Sequence, residues 1–102
     1  MNYEWDPAKN LKSIRKHKVS FEQAIAALED PCRLCFYDEA HSLIEDRYII
    51  FGNAKGRILF VCIVLVDEDT TRIISSRRAN MNEMEVYNEK CALFFGKRTQ
   101  TH

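Results

Sequence analysis

Hydrophobic and polar positions repeat along the chain with two different periods, which predict helices near its start and strands further on. The first helix is expected from Asp6-Pro7 to about His17, because aspartate is a good N-cap and proline suits the first helical position. The second helix begins at Ser20, which forms a capping box with Gln23. The link between the two helices is short, so they are expected to pack as a hairpin over one face of a sheet.

Strands separated by polar turns follow these helices. Residues 58–66 are an unbroken apolar run of nine residues, which predicts a central strand buried on both faces. Short turns join successive strands, so the strands are expected to pair antiparallel. A further short strand is expected over 3–5. The predicted order is β-α-α-β-β-β-β-α, an α+β protein with an antiparallel sheet and helices packed against it.

The last strand ends in two arginines, Arg77 and Arg78, and leads directly into the last helix. Asn80 is the expected N-cap, and Glu83 stands where its side chain can reach back to the Asn80 N–H. Two fixed positive charges beside a helix start can hold a phosphate, although an arginine pair at a strand end is more often a solvated surface pair. On a regular pleat the two arginines diverge, so only one of them is expected to face a given pocket.

The last helix is expected to run from Met81 to about Phe95 and to end at Gly96, leaving a loose polar tail over 97–102. It is expected to dock through an apolar stripe on one of its sides. The members of this stripe are Met84, Tyr87, Cys91 and either Phe94 or Phe95.

Composition and charge narrow the class of protein. The 102 residues, 46% of them hydrophobic and 29% charged, are typical of one globular domain. No run is apolar enough to span a membrane and the first residues do not resemble a signal peptide, so we expect a cytoplasmic protein without a membrane partner. Residues 1–20 carry five basic and two acidic side chains, whereas residues 21–50 carry seven acidic and two basic ones. Three of the basic residues, Lys9, Lys12 and Lys16, share one side of the first helix, which is either a solvated face or a surface for RNA or an acidic partner.

The four cysteines do not predict a metal site. Cys32 and Cys35 lie in a segment that looks extended, so their side chains are expected to point to opposite faces. Cys62 and Cys91 are expected to behave as small hydrophobic residues in the core. We therefore expect neither a metal nor another cofactor.

Three segments, 3–24, 46–52 and 72–87, stand in an order and spacing that resemble the BrnT family of type II toxins. The shared pattern is W-D-x-x-K, then N, K-H and V-S-F, and later R-x-I-S-x-R-x-A followed by E and Y. The chain departs from it at Lys18, where the family usually has glycine between His and Val. Glycine there would suit a left-handed helix C-cap, which lysine adopts only at a cost.

The resemblance implies a small ribonuclease with a RelE-like fold that cuts RNA without a metal and so reduces translation. It also implies a BrnA-like antitoxin with a ribbon-helix-helix domain, bound in a 2:2 hetero-oligomer. Operator DNA would be reached only through that complex.

Metal-free RNA cleavage needs a base near the 2′-OH, positive charge at the phosphate and an acid for the 5′-oxygen. Arg77 or Arg78, together with Arg47, would hold the phosphate, and His17 or Glu45 could be the base. A Lys, His or Tyr could supply the proton. Glu45 and Arg47 could instead form a mutual ion pair. The candidate catalytic residues are Arg77, Arg78, Arg47, Glu45 and His17, and the RNA-binding candidates are Lys9, Lys12, Lys16 and Tyr87, with Lys9 and Tyr87 also considered as proton donors.

Two other functions fit the same residues. A non-catalytic member of the family would bind an antitoxin and little else. A nucleic-acid-binding module would use the lysine face for phosphate contacts without cutting, and its binding would fall steeply with salt.

Overall fold

The elements follow one another in the predicted order, with one short 3-10 helix in addition. The computed structural model describes the backbone of residues 1–100 and the side chains of residues 1–93. The strands are β1 Asn2–Glu4, β2 Leu34–Tyr37, β3 Arg47–Ala54, β4 Arg57–Leu65 and β5 Thr70–Arg78, and the helices are α1 Pro7–His17, α2 Phe21–Leu28, α3 Met81–Gln100 and the 3-10 helix Glu39–His41. No helix in this part of the chain is both long and apolar enough to cross a lipid bilayer.

The five strands form one sheet in the order β1-β5-β4-β3-β2, so the apolar strand β4 is central, as predicted. The strands from β2 to β5 pair antiparallel. The prediction of a wholly antiparallel sheet is wrong at β1, which pairs parallel with β5, Asn2 opposite Thr70 and Glu4 opposite Arg72. No short turn joins β1 to β5, and parallel strands need a long crossover, which here contains most of the chain.

Helix α2 covers the core of the sheet across β3, β4 and β5, whereas α1 lies against β5 and buries only Ser13. The prediction that the two helices pack on each other as a hairpin is therefore not confirmed. The caps are the predicted ones: the Asp6 side chain accepts from the Ala8 N–H, and Ser20 and Gln23 form a capping box. The second helix provides the apolar side of this layer. The buried core contains Val19, Phe21, Ala24, Ala27 and Leu28 above Ile50, Ala54, Leu59, Val61, Ile63 and Ile73 of the sheet.

Helix α1 ends at Lys18, which has φ 59° and ψ 30° and donates its backbone N–H to the Ile14 carbonyl. A side chain in this left-handed region costs roughly 1–2 kcal/mol relative to glycine. We expect Lys18→Gly to raise the free energy of unfolding by about 1 kcal/mol, measured by urea denaturation. The same replacement at Lys12, inside the helix, should lower it by about 1 kcal/mol. A destabilising Lys18→Gly would show that Lys18 has no positive φ.

Helix α3 does not end at Gly96 but continues to Gln100. A glycine inside a helix costs about 1 kcal/mol relative to alanine and does not by itself break the helix. Four residues of the predicted loose tail therefore belong to α3, and Thr101 and His102 lie outside the described residues. Tyr87 is buried, which confirms it as part of the docking stripe. The side chains of Phe94 and Phe95, the predicted alternatives for the end of this stripe, lie outside the described residues.

Only one of the four cysteines lies in the core. Cys62 is buried, whereas Cys35 is exposed and Cys32 and Cys91 are half-buried. Of the two cysteines predicted for the core, Cys62 is confirmed and Cys91 is only half-buried, while Cys35 is exposed because β2 is the outer strand of the sheet. Cys32 lies in the turn before β2 rather than within a strand.

Candidate active site

Strand β5 carries a bulge that decides which of its side chains face the helices. Cys62 pairs with Ser75, but the next residue of β4, Ile63, pairs with Ile73, so Ile74 is the extra residue. After the bulge, Ser76 lies in the row of Val61, on the face covered by α1 and α2. Ser75 lies in the row of Cys62, on what we call the second face. Bulges commonly redirect side chains beside functional sites.

Helix α1 is attached to β5 just after this bulge. The Ser13 hydroxyl lies 2.7 Å from the Val19 carbonyl oxygen and 3.0 Å from that of Ser76. A cavity of about 380 Å³ separates the rest of α1 from the strand. We call it the basic groove, because its lining includes Lys9, Lys12, Lys16, His17 and Arg47 together with Ser75 and Ser76. The structure thus brings the predicted lysine side of α1 together with His17 and Arg47.

Arg47 reaches the basic groove from the start of β3, where it pairs with Val64. Its Nη2 lies 3.7 Å from Oε1 of Glu45, within ion-pair distance but too long for a hydrogen bond. Its Nε is buried and has no hydrogen-bond partner among the described residues. A buried donor without an acceptor costs about 1–3 kcal/mol, so Arg47 is prepared for an acceptor that binds from outside.

A second cavity of about 270 Å³ adjoins the groove on the second face of the sheet. Arg47, Ile74 and Ser75 line both cavities. The other lining residues of this second-face cavity are Asp38, His41, Ile49, Phe60 and Cys62.

The pKa of the buried Cys62 thiol is shifted by burial and by charges around this cavity. Burial raises its pKa, the charges of Arg47 and Lys9 work against that rise, and the charge of Asp38 adds to it. The raised pKa keeps the thiol neutral, so Cys62 is unsuited to act as a nucleophile.

The two arginines at the end of β5 diverge, as predicted. Arg77 pairs with Phe60 on the second face, whereas Arg78 pairs with the core residue Leu59 on the opposite face. The Arg77 guanidinium lies 3.9 Å from the centre of the Phe60 ring. It also donates to both carboxylate oxygens of Glu83, at 2.8 and 2.9 Å. Arg77 therefore fastens the start of α3 to the sheet, and neither arginine joins Arg47 in the basic groove.

Glu83 also completes the predicted cap of α3. Its carboxylate accepts from the Asn80 N–H, and the Asn80 side chain accepts from the Glu83 N–H. Glutamine can keep this capping contact but cannot pair with a charge. We expect Glu83→Gln to lower the free energy of unfolding by about 1–2 kcal/mol at neutral pH. A double-mutant cycle with Arg77→Ala measures the pair directly, and independent, additive effects would contradict it.

The same pair predicts a dependence on pH. Hydrogen bonds from Arg77 hold the pKa of Glu83 below its usual range, although burial works in the opposite direction. A carboxylate with a lowered pKa stabilises the fold above its unfolded-state pKa, and this stabilisation is lost as pH falls through the folded-state pKa. The stability difference between wild type and Glu83→Gln should shrink as the pH is lowered from about 7 to about 3. A difference that stays constant over this range would contradict it.

The remaining predicted residues lie elsewhere. Tyr87 is buried under α3 and donates its hydroxyl to Asp30, and burial together with this hydrogen bond raises its pKa. The structure does not bring it to the groove. Glu45 contacts Arg47 but is not among the residues that line either cavity. In the described part of the chain, no group of three or more His, Cys, Asp or Glu side chains is placed to hold a metal.

Sequence reasoning missed Asp38 and His41. The His41 Nδ1 lies 3.0 Å from one Asp38 carboxylate oxygen and 3.1 Å from the other. The spacing D-x-x-H across one turn was the available signal, because residues three apart meet on a helical turn. The spacing was overlooked because this segment has the composition of a polar loop rather than a helix.

Comparisons with known proteins identify the family of this chain. A family model described as the ribonuclease toxin BrnT of type II toxin-antitoxin systems matches residues 5–83. The crystal structure of the Brucella abortus ribonuclease toxin BrnT superposes with a TM-score of 0.64 and 26% sequence identity, over 79% of this chain and 99% of that one. A search of curated proteins gave no significant match.

The match extends from Trp5 to Glu83, most of the chain, and shows that the protein is a toxin of a type II toxin-antitoxin system. More narrowly, the chain belongs to the BrnT family of ribonuclease toxins.

Proposed function

We propose that this protein is an endoribonuclease that cleaves RNA without a metal ion, through attack of the 2′-OH on the adjacent phosphate. The observation that carries the proposal is the buried, unpartnered Nε of Arg47 in a groove that it shares with three lysines and a histidine. This combination offers what the reaction needs: positive charge at a phosphate and a proton acceptor beside it.

Arg47 is the residue best placed to hold the scissile phosphate. Its guanidinium can donate two parallel hydrogen bonds to phosphate oxygens, and its one ion pair within the described part of the chain is the long one with Glu45. Arg77 is less suited to this role, since Glu83 already takes two of its donors. The charge that develops on the phosphorane oxygens would then be stabilised mainly by Arg47.

His17 is the candidate base in this groove. It stands in the last turn of α1, and an imidazole there can accept the 2′-OH proton once the phosphate is held by Arg47. Lys9, Lys12 and Lys16 would guide the flanking phosphates along α1. These side chains attract an anion and repel a divalent cation, which favours a reaction driven by side chains rather than by a metal.

We further propose that cleavage lowers translation in the cytoplasm and that a BrnA-like antitoxin with a ribbon-helix-helix domain neutralises the protein in a 2:2 complex. Operator DNA would be bound through the antitoxin. The support is membership in a family of type II toxins, together with the charge of the groove. An antitoxin that covers the basic groove would need an acidic segment.

Incubation of the purified protein with RNA in excess EDTA tests the proposal. We expect fragments that end in a 2′,3′-cyclic phosphate and begin with a 5′-hydroxyl, since the 2′-oxygen replaces the 5′-oxygen at phosphorus. His17→Ala, purified in the same way, controls for contaminating ribonucleases and should cut at least about 100-fold more slowly.

Three other outcomes would decide against the proposal. Cleavage that EDTA abolishes would contradict a metal-free reaction. Fragments with a 5′-phosphate would contradict attack by the 2′-OH. RNA that stays intact with the folded wild type, but binds in a strongly salt-dependent way, would favour a binding module.

A further inference from the structure

We propose that His41, held by Asp38, is the general acid that protonates the 5′-oxygen as it leaves. This inference rests on the proposed ribonuclease function and assigns the acid to a residue outside the basic groove, where Lys9 was the predicted candidate. Nothing in the sequence pattern singled out these two residues. Their assignment comes from four features of the structure.

The first feature is the orientation of the imidazole. Because Nδ1 of His41 lies at hydrogen-bond distance from both carboxylate oxygens of Asp38, it carries the proton that is donated to this carboxylate. A carboxylate on one ring nitrogen fixes the tautomer and directs the other nitrogen outward, as it does for the histidine of hydrolase triads. Nε2 of His41 is therefore the atom available for proton transfer.

The second feature is the contrast in burial between the two side chains. The Asp38 side chain is 12% exposed, whereas the His41 side chain is 68% exposed. A surface ion pair would leave both partners in water. Here the carboxylate lies in the protein, and the imidazole reaches out to where a substrate could meet it.

The third feature is the connection between this pair and Arg47. The Asp38 N–H donates to the Arg47 carbonyl, 2.9 Å away, and the Arg47 N–H donates to the Ser42 hydroxyl, 3.0 Å away. The Ser42 hydroxyl donates in turn to the Asp38 carbonyl. Both backbone groups of Arg47 are thus bonded to the segment that carries His41, so the backbone positions from which the two side chains extend are held together. Such support is what positions a group for catalysis.

The fourth feature is the arrangement of the two histidines about Arg47. His17 lines the basic groove and His41 lines the second-face cavity, and Arg47 lines both. In-line displacement at phosphorus needs the base and the acid on opposite sides of the phosphate. A phosphate held by Arg47, at the junction of the two cavities, would have one histidine in the cavity on each side.

In the proposed step His41 starts as an imidazolium, with a proton on each ring nitrogen, and His17 starts as a neutral imidazole. The 2′-oxygen bonds to phosphorus while its proton passes to His17. The bond from phosphorus to the 5′-oxygen breaks, and the proton on Nε2 of His41 moves to that oxygen. The products are a 2′,3′-cyclic phosphate and a 5′-hydroxyl, with His17 charged and His41 neutral. Exchange of one proton with water at each histidine restores the starting state.

A substrate with sulfur in place of the bridging 5′-oxygen tests the assignment, because a thiolate leaves without needing a proton. The site of cleavage is first mapped with wild type, and one such sulfur is then placed there in a synthetic oligoribonucleotide. We expect His41→Ala to cut the ordinary RNA about 100-fold or more slowly than wild type, and the sulfur RNA within about 10-fold of wild type. Asp38→Asn should slow cleavage of the ordinary RNA less than His41→Ala does, and it should also regain a near wild-type rate on the sulfur RNA. This result is expected of a residue that positions His41.

Two controls separate this role from a structural one. His17→Ala should stay slow on both substrates, because a missing base is not replaced by a better leaving group. Glu39→Ala, in the same 3-10 helix, should cut both as wild type does. Circular dichroism and the melting temperature confirm that each variant is folded.

The outcomes distinguish this proposal from the one on which it rests. Wild type that cuts RNA while His41→Ala cuts it equally fast overturns the role of His41 alone. An equal loss by His41→Ala on both substrates also overturns it, since the imidazole would then not serve the leaving group. A folded wild type that cuts neither substrate overturns the ribonuclease proposal and this one together.

Discussion

Replacing Arg47 with alanine is expected to lower the rate of RNA cleavage by about 100- to 1,000-fold, the loss typical of removing a donor that stabilises transition-state charge. The side chain is about one-third exposed, has one long ion pair with Glu45 and carries an unpartnered buried Nε, so its removal should not destabilise the fold. The measurement is the initial rate on a defined RNA in EDTA.

Two further variants make the Arg47 result specific. Arg47→Lys keeps the charge but loses the planar fork, so it should recover only part of the rate. Arg57→Ala removes an exposed arginine at the β3–β4 turn, beside a different cavity, and should cut as wild type does. If Arg47→Ala cleaved RNA at the rate of Arg57→Ala, Arg47 would not hold the phosphate.

The second large effect is expected at Gly52, where helix α2 crosses strand β3. A Cβ atom at this position would lie 2.1 Å from the carbonyl oxygen of Ala27 and 2.7 Å from its carbonyl carbon. These are backbone atoms, so the whole helix must move rather than one side chain. We expect Gly52→Ala to lower the free energy of unfolding by about 3 kcal/mol or more, at the upper end for overpacked cores.

Gly56→Ala is the matched control for this effect. Gly56 has φ +94° and open space around the position of a Cβ, so alanine there meets backbone strain without a clash. Its expected cost is about 1–2 kcal/mol. Urea denaturation of both variants compares the two costs. A Gly52→Ala protein as stable as Gly56→Ala would mean that α2 does not lie so close to β3.

Local signals in the sequence predicted most of the fold. The caps at Asp6, Ser20 and Asn80 form because each is satisfied by atoms within three residues, and the apolar run of β4 is central because its length and flanking turns leave few alternatives. The parallel pairing of β1 with β5 was missed. It depends on contacts between residues 68 positions apart in the chain, such as Asn2 and Thr70.

The candidate site was less predictable, because it depends on features that appear only in three dimensions. The lysine side of α1 was visible as a helical period, but its placement beside Arg47 depends on the Ile74 bulge and the Ser13 contact. The arginine pair was correctly expected to diverge. The separate roles of the two arginines could not be predicted. The sequence identified Glu83 as a capping residue only, whereas in the structure Glu83 also binds Arg77 and leaves Arg78 as a surface residue.

Two residues in or beside the candidate site depart from the usual conformational or hydrogen-bonding preference. Lys18 keeps a left-handed conformation at the end of α1, and the residue before it is the candidate base His17. Arg47 keeps a buried donor without a partner in the described structure. Departures from local preference tend to collect at functional sites, where another requirement outweighs stability.

Titration of the isotope-labelled protein with a short RNA that carries 2′-O-methyl groups, followed by NMR, tests most directly whether the basic groove binds the substrate. The methyl groups remove the nucleophile, so the RNA binds without being cut. We expect the Arg47 Nε–H signal and the amides of α1 to shift first, and the shifts to weaken with added salt. Shifts confined to the β3–β4 turn around Lys55 and Arg57, with Arg47 unchanged, would contradict the groove as the place where RNA binds.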